Sequence, residues 1–181
     1  MVKSFFQSQI AFFIFSSVFY CEFVKADFLI GLSTNSWQEK IPIVASGVEQ
    51  NQMTTLSGLG VQAEYDHLVT QRIRYGLGAS FISGSADIHQ LKTTQLKGLR
   101  RNFKAYWLSN KLLWRMTKSF AFGPNVILNQ RQLEGLSAAM SAGLLMDFEY
   151  ALSENFRLTQ SLGTMSDSSQ LAYAIGFSYL F

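Results

Sequence analysis

The stretch LAYAIGFSYLF, residues 171–181, alternates large apolar side chains with mostly small ones. Its odd positions hold Leu, Tyr, Ile, Phe, Tyr and Phe, whereas its even positions hold Ala, Ala, Gly, Ser and Leu. Successive side chains of a β-strand point to opposite faces, so a period of two indicates a strand. We therefore predict a strand with one large apolar face and one face of mostly small residues.

The same period of two recurs upstream and predicts eight strands in all. In residues 137–150 the large apolar side chains except Leu145 occupy even positions, and both acidic residues occupy odd positions. Asn110 and Gln160 depart from the pattern because they fall on apolar faces, and Pro124 does so because proline normally avoids central strands. The predicted strands are Phe28–Thr34, Leu56–Asp66, Arg72–Ser83, Phe103–Arg115, Phe120–Gln130, Ser137–Tyr150, Phe156–Gly163 and Leu171–Phe181.

The composition is too apolar for an ordinary soluble domain. Of 181 residues, 48% are hydrophobic and 15% are charged, whereas soluble domains carry roughly 25% charged residues. A membrane-spanning helix needs about 20 apolar residues, but the only long apolar run, Ile10–Val24, contains Glu22. The length fits a single domain, and the apolar residues fit alternating strands better than a spanning helix.

The N-terminal segment has the features of an export signal. Lys3 precedes an apolar stretch at residues 10–21, and the following Val-Lys-Ala at 24–26 resembles a cleavage site. We therefore predict a secretory signal peptide at 1–26 and a mature barrel domain at 27–181.

Two alternatives for this segment remain open. An N-terminal anchor helix is disfavoured because the run is short and is closed by Glu22 and Lys25. A lipoprotein signal would acylate Cys21, but the bulky Tyr20 before it argues against that reading. Because Cys21 is the only cysteine, no disulfide can form within the chain.

The connections between the predicted strands alternate in length. Short turns at one end and longer loops at the other are typical of transmembrane β-barrels, with the termini on the periplasmic side. The short connections are 67–71, 117–119 and 151–154; the long ones are 35–54 and 84–102; the intermediate ones are 130–136 and 163–169.

Aromatic residues occupy the predicted periplasmic end of every strand, on the outward face. Such a girdle suits a membrane–water interface, whereas a soluble sandwich or lipocalin-type barrel would gain nothing from it. The girdle comprises Phe28, Tyr65, Tyr75, Trp114, Phe120, Phe148, Tyr150, Phe156, Tyr179 and Phe181.

The mature chain resembles the small eight-stranded outer-membrane β-barrels of the OmpA/OmpX type. Residues 173–181 are similar to the C-terminal signal of these proteins, which ends in phenylalanine. The resemblance implies an all-β, antiparallel, up-and-down transmembrane barrel in a Gram-negative outer membrane, reached through the periplasm. It also implies recognition by the barrel-insertion machinery, with Tyr179 and Phe181 in the insertion signal. We expect a monomer.

Charged residues cluster on the inward phase of the strands. The interior of an eight-stranded barrel is narrow enough to be filled by side chains. Buried charges must be paired, so we predict a structural ion-pair network, with a switchable gate for small solutes as the alternative. The network comprises Glu64, Asp66, Arg72, Arg74, Lys111, Arg115, Asp147, Glu149 and Arg157.

The turns predict specific partners within this network. Opposite charges across a hairpin stabilise each other. Lys111 and Arg115 lack a hairpin partner and are expected to reach Asp147 across the lumen. The predicted hairpin pairs are Asp66 with Arg72, Glu64 with Arg74, and Glu149 with Arg157.

A basic cluster is expected at the extracellular rim, where only Asp87 opposes it. It would lie beside lipopolysaccharide phosphates, which Lys and Arg bind by charge and hydrogen bonds. An ordinary solvated loop is the alternative. The cluster comprises Lys92, Lys97, Arg100, Arg101 and Lys104.

No catalytic, metal or cofactor motif is recognisable. His67 and His89 lack a serine at a recognised spacing, and there is no metal-ligand or nucleotide-binding pattern. The best residual constellation is His89 with Asp87 and Ser83 or Ser85. The balance of 15 basic and 12 acidic residues does not predict nucleic-acid binding.

The sequence therefore favours an integral outer-membrane barrel that is not an enzyme. Its role would be structural or adhesive, through the first two extracellular loops, with outer-membrane lipids and lipopolysaccharide as partners. The alternatives are an outer-membrane enzyme that modifies lipid A or phospholipid, and a narrow channel for small solutes.

Overall fold

A computed structural model describes residues 26–45, 48–88, 99–166, 168 and 171–181. These residues form eight antiparallel strands in sequence order, and β1 pairs with β8, so the barrel is closed. The predicted all-β, up-and-down, eight-stranded barrel is confirmed. Within the described ranges, no helix has the length and apolar content needed to cross a membrane. The strands are β1 (Ala26–Ala45), β2 (Val48–Leu68), β3 (Ile73–Ile88), β4 (Leu99–Arg115), β5 (Phe120–Leu133), β6 (Ala139–Ala151), β7 (Phe156–Met165) and β8 (Leu171–Leu180).

Several strands are longer than predicted. The long connection expected over residues 35–54 is wrong, because the β1–β2 ladder continues to Ala45 opposite Val48. Residues 84–88 and 99–102 likewise belong to β3 and β4 rather than to the second long connection.

The extension of β1 reverses the polarity of the predicted strand. Trp37 and Ile41 point inward and are 1% and 0% exposed, whereas Gln38 and Lys40 take the alternate, outward positions. The period of two therefore persists beyond Leu32. A prediction that requires the outward face to be apolar ends the strand at Leu32, because the outward side chains that follow, from Thr34 to Lys40, are polar.

The three short turns lie at the end of the barrel that also holds Ala26 and Phe181. In each turn a hydroxyl, of Thr70, Thr117 or Ser153, accepts a hydrogen bond from a backbone N–H. The predicted short connections are thus tight turns. We call this the near end. The far end carries the connections 46–47, 89–98, 134–138 and 166–170.

An apolar belt surrounds the outside of the barrel. Every strand contributes a large hydrophobic side chain that is at least 39% exposed. A water-soluble barrel would place polar residues at such positions, since contiguous exposed apolar surfaces are rare on soluble monomers. The belt is defined by Leu32, Leu59, Phe81, Leu108, Val126, Leu144, Leu162 and Phe177.

Aromatic rings collect at the near-end edge of this belt. The ring of Phe120 lies 5.0 Å from that of Tyr150, and the ring of Phe156 lies 5.1 Å from that of Tyr179. Neighbouring strands thus share ring contacts along the rim. The other members of the predicted girdle, on outward positions of their strands, are Phe28, Tyr65, Tyr75, Trp114, Phe148 and Phe181.

Pro124 lies within β5, where its missing N–H interrupts the ladder. The β4–β5 pairing has a gap between Lys111 and Trp114. A Cβ atom at the adjacent Gly123 would lie 1.9 Å from the carbonyl oxygen of Leu112. Glycine is therefore needed here, because it lets the two strands approach closely beside the proline.

Candidate functional site

The lumen is filled by two successive layers of side chains. The layer toward the near end is charged, and we call it the ionic layer: Glu64, Asp66, Arg74, Lys111, Glu149 and Arg157. The layer toward the far end is apolar, and we call it the aromatic layer: Trp37, Ile41, Leu56, Ile82, Phe103, Trp107 and Leu133. Strand alternation places both layers on the inner face.

Most ion pairs in the ionic layer join strands that are not neighbours in the sheet. Arg74 on β3 contacts Glu149 on β6, and Arg157 on β7 contacts Asp66 on β2. These two pairs cross the lumen, so they hold opposite walls of the barrel together. Arg74 also pairs within its own hairpin, with its Nε 3.1 Å from Asp66 Oδ2 on β2.

Lys111 is the second bridge across the lumen. Its Nζ contacts Glu64 and lies 3.6 Å from Glu149 Oε2. Arg157 approaches the same carboxylate, with its Nε 3.6 Å from Glu149 Oε1. Three carboxylates and three cations thus balance within the layer, and their side chains are at most 15% exposed. Balance matters because an unpaired buried charge costs several kcal/mol.

The predicted pairing within the β2–β3 hairpin was wrong. Asp66 lies opposite Gly76 in the ladder, not opposite Arg72. Arg72 is exposed in the turn, outside the network, because the turn takes up more residues than predicted. Glu64 meets Lys111 instead of Arg74.

Of the other predicted partners, the Glu149–Arg157 pair is observed, whereas the pairing with Asp147 is not. Glu149 lies opposite Thr159 rather than Arg157, although the arginine still reaches its carboxylate. Neither Lys111 nor Arg115 forms an ion pair with Asp147. Asp147 instead accepts a hydrogen bond from Asn125, with an N–O distance of 2.9 Å. Among the described residues, Arg115 has no ion pair and lines the near-end opening.

A second buried ion pair lies farther along the lumen. Glu39, which is 2% exposed, pairs with Arg131. Its Oε1 accepts hydrogen bonds from Trp37 Nε1, Asn129 Nδ2 and Ser141 Oγ, each at 2.9 Å. Sequence reasoning missed both charges because they were assigned to connections. The inward alternation of Trp37 and Glu39 is the signal that could have found them.

The aromatic layer closes the lumen above the ionic layer. The ring of Trp37 packs edge-on against Phe103 at 5.3 Å and against Trp107 at 5.1 Å. Trp37 and Phe103 are 1% and 2% exposed. Packed side chains, rather than a continuous opening, therefore fill this part of the barrel.

Between the two layers lies a small polar cavity of about 50 Å³. Trp107 Nε1, Asn125 Oδ1 and Asp147 Oδ1 are buried without a hydrogen-bond partner among the described residues. All three residues line this cavity. The cavity thus offers one donor and two acceptors to a small polar occupant.

The basic residues predicted at the rim separate into two groups. Arg100 and Lys104 are exposed on β4 beyond the apolar belt, whereas Arg101 donates to the carbonyl oxygen of Glu134 at 3.1 Å. Lys92 and Lys97 lie outside the described residues.

Arg100 borders an outward groove that is rich in hydroxyl groups, which we call the hydroxyl groove. Arg100 Nη2 donates to Ser85 Oγ at 3.0 Å, and Ser36 Oγ lies 3.1 Å from Ser57 Oγ. The groove crosses β1 to β4 just beyond the belt. It is lined by Thr34, Ser36, Ser57, Ser83, Ser85, Arg100, Asn102 and Tyr173.

The remaining candidate residues do not assemble into a reactive site within the described chain. His67 is half-buried on β2, Asp87 is exposed on β3, and His89 lies outside the described residues, as does the segment 1–25 with Cys21. The three carboxylates of the ionic layer lie within 4.8 Å of one another. Each of them is paired with at least one of the layer's own cations.

Comparison with known proteins finds solved structures of similar fold but no matching family. No family model and no curated protein matches the chain. The outer-membrane protein OprG of Pseudomonas aeruginosa is 17% identical with a TM-score of 0.50, covering 86% of this chain and 96% of its own. Ail of Yersinia pestis is 12% identical with a TM-score of 0.48, covering 86% and 97%. Neisserial surface protein A is 12% identical with a TM-score of 0.45, covering 87% and 97%. At 17% identity the similarity to OprG concerns the barrel fold alone.

The contacts of the ionic layer predict that replacing Lys111 lowers the stability of the protein strongly. Lys111→Met leaves the buried carboxylates of Glu64 and Glu149 without this cation, so we expect the free energy of unfolding to fall by about 3–5 kcal/mol. Urea titration in detergent micelles, followed by tryptophan fluorescence, measures the change. The matched control is Arg115→Met, which removes an unpaired cation and should cost less than about 1 kcal/mol. Equal losses in the two variants would contradict the assignment.

The polar cavity predicts bound water beside Trp107. A volume of about 50 Å³ holds roughly two or three water molecules, which can satisfy both donors and acceptors. In ¹⁵N-indole spectra we expect a water cross-peak at Trp107 Nε1–H. Trp37 is the internal control, because its Nε1 donates directly to Glu39 at 2.9 Å and should show no such cross-peak. Absence of a water cross-peak at Trp107 Nε1–H would refute the prediction.

Proposed function

We propose that this protein is an integral outer-membrane β-barrel of a Gram-negative envelope. The apolar belt carries this proposal, because all eight strands expose large hydrophobic side chains on the outside. Contact between such a surface and lipid costs no free energy, whereas its contact with water is unfavourable. The closed β1–β8 ladder meets the second requirement of a bilayer, which is that no sheet edge leaves backbone groups unpaired.

The near end would face the periplasm. Short turns and the aromatic rim lie together there, as is typical of the periplasmic side of such barrels. Export through the periplasm would require the signal predicted at 1–26. Tyr179 and the 72% exposed Phe181 lie at this end, their rings 4.9 Å apart, where insertion machinery could reach them.

The role we propose is structural and adhesive rather than catalytic or conductive. A pore is disfavoured by the two layers that fill the lumen, namely the cross-barrel ion pairs and the packed rings of Trp37 and Phe103. The extension of β1 to β4 beyond the belt carries an accessible polar surface, with Lys40, Ser57, Arg100 and Lys104 exposed. This extension would stand above the membrane and present its outer face to the surroundings.

The hydroxyl groove and its basic neighbours suit the headgroups of lipopolysaccharide. Arg100 and Lys104 lie on β4 immediately beyond Tyr106, which is 54% exposed in the belt region. This is the level at which phosphates and sugars begin above the acyl chains. Guanidinium and ammonium groups bind phosphate, and hydroxyl and amide groups hydrogen-bond sugars.

Membrane insertion and a sealed lumen are tested together. The full chain, expressed in a Gram-negative host, should fractionate with the outer membrane and migrate faster on gels when unheated. The purified barrel should show no steady conductance in planar bilayers, because both layers block the lumen. Recovery in the soluble fraction would overturn the membrane location. Stable open-channel traces would overturn the sealed lumen only.

The lipopolysaccharide contact is tested by charge reversal. In the double variant Arg100→Glu, Lys104→Glu we expect several-fold less lipopolysaccharide to co-purify, because two favourable phosphate contacts become repulsive. Lys118→Glu is the matched control, since it reverses an exposed charge in a near-end turn. Unchanged co-purification of the double variant would rule out the proposed contact.

A further inference from the structure

Among the described residues, the buried part of the lumen contains one acid more than it contains cations. The cations are Arg74, Lys111, Arg131 and Arg157, and the acids are Glu39, Glu64, Asp66, Asp147 and Glu149. Asp27 and Arg115, which line the near-end opening, add one charge of each sign and leave the difference unchanged. Asp147 is the acid without an ion pair, although it is only 2% exposed. A buried carboxylate without a compensating charge is strongly unfavourable.

The cation that lines the same cavity as Asp147 is already engaged. Lys111 borders the polar cavity, but its Nζ contacts Glu64 and lies 3.6 Å from Glu149 Oε2. These two carboxylates share its single charge. Lys111 therefore does not supply the charge that Asp147 lacks.

Asp147 and Asn125 each present an unpaired oxygen atom to the polar cavity. Asn125 Nδ2 donates to Asp147 Oδ2 at 2.9 Å, and this bond fixes the orientation of the amide, because the opposite orientation would bring two acceptor oxygens together. The remaining oxygens, Asp147 Oδ1 and Asn125 Oδ1, are buried and have no hydrogen-bond partner in the described part of the chain. Ser161, opposite Asp147 in the β6–β7 ladder, adds a hydroxyl oxygen to the lining.

We propose that the polar cavity holds a sodium ion, bound by Asp147 Oδ1 and Asn125 Oδ1. Carboxylate and amide oxygens are ligands that hard cations prefer. A single positive charge matches the one excess carboxylate, whereas calcium takes about six to eight oxygen ligands and would leave an excess positive charge.

The size of the cavity also suits a sodium ion. A bare sodium ion is no larger than a water molecule, so a cavity of about 50 Å³ holds it together with roughly one or two water molecules. A water molecule bound to the ion can still accept a hydrogen bond from Trp107 Nε1. The hydration predicted at Trp107 is therefore retained.

Refolding in two salts tests whether sodium stabilises the barrel. The packed layers close the cavity on both sides, so the ion would enter as the barrel folds. The full chain is unfolded in urea and refolded in detergent micelles, in sodium chloride or in choline chloride of equal ionic strength. Choline is too large for the cavity. Sodium at about ten times its Kd should raise the folding equilibrium constant of the wild type about tenfold over choline.

Asp147→Asn identifies the carboxylate that is responsible. This substitution keeps the shape of the side chain and removes the uncompensated charge, so the variant should fold equally well in the two salts. Asp87→Asn is the matched control, because it makes the same change at an exposed position of β3 and should keep the response to sodium. If the wild type does not respond to sodium, or if Asp147→Asn responds as the wild type does, the proposal is overturned.

The indole signals locate the ion. The chemical shift of Trp107 Nε1–H should differ between wild-type protein refolded in sodium and in choline, because Trp107 lines the cavity. The signal of Trp114, which is 39% exposed on the outer surface, should not change. A difference at Trp107 that persists in Asp147→Asn would place the ion elsewhere and would overturn the proposal. Both measurements use the barrel in micelles, so their outcome is independent of the proposed membrane location.

Discussion

The ladder between β1 and β8 is the contact on which the rest of the structure depends. It runs from Leu29 opposite Leu180 to Ser36 opposite Tyr173 and turns an eight-stranded sheet into a barrel. Closure assigns every strand residue to the inside or the outside, because side chains alternate along each strand. The narrow interior must then be filled, and in this chain it is filled by charges at one level and by rings at the next.

The interior charges are arranged so that their burial is compensated. Arg74 and Lys111 each contact two carboxylates and Arg157 contacts three, and most of these contacts cross the lumen between strands that are not neighbours. A cross-lumen ion pair resists widening of the barrel, which a pair within one hairpin would not do. Glu39 and Arg131 repeat the arrangement among apolar side chains, where Asn129 and Ser141 supply further hydrogen bonds to the carboxylate. The interior ion pairs thus help to fix the width of the barrel, and they also replace the water that the buried charges have lost.

The sequence predicts the strand number, the strand order and the outward face, because each rests on a period of two that short stretches display. It does not predict the ion-pair partners, since these depend on turn length. Once the turn after β2 includes Arg72, Asp66 faces Gly76, and its partners are Arg74 of the same hairpin and Arg157 from across the barrel. The extension of β1 was missed for another reason. Alternation continues there, but Trp37 and Ile41 exchange faces with the polar residues, so a test for one fixed apolar face fails.

That exchange of faces marks where the surroundings of the barrel change. Up to Leu32 on β1, the outer positions are apolar; beyond it, the outer positions from Thr34 to Lys40 are polar, and the large apolar side chains of Trp37 and Ile41 lie inside. On β4 the outer face changes in the same way between Tyr106 and Lys104. A single strand therefore crosses from a region where lipid would cover its outside to one where water would, and the cluster of large buried apolar side chains lies mainly inside the second. This boundary separates two kinds of outward polar residue on β4. Arg100 and Lys104 lie beyond it, at the level that we assign to the headgroups, whereas Asn110 lies on the belt side of it.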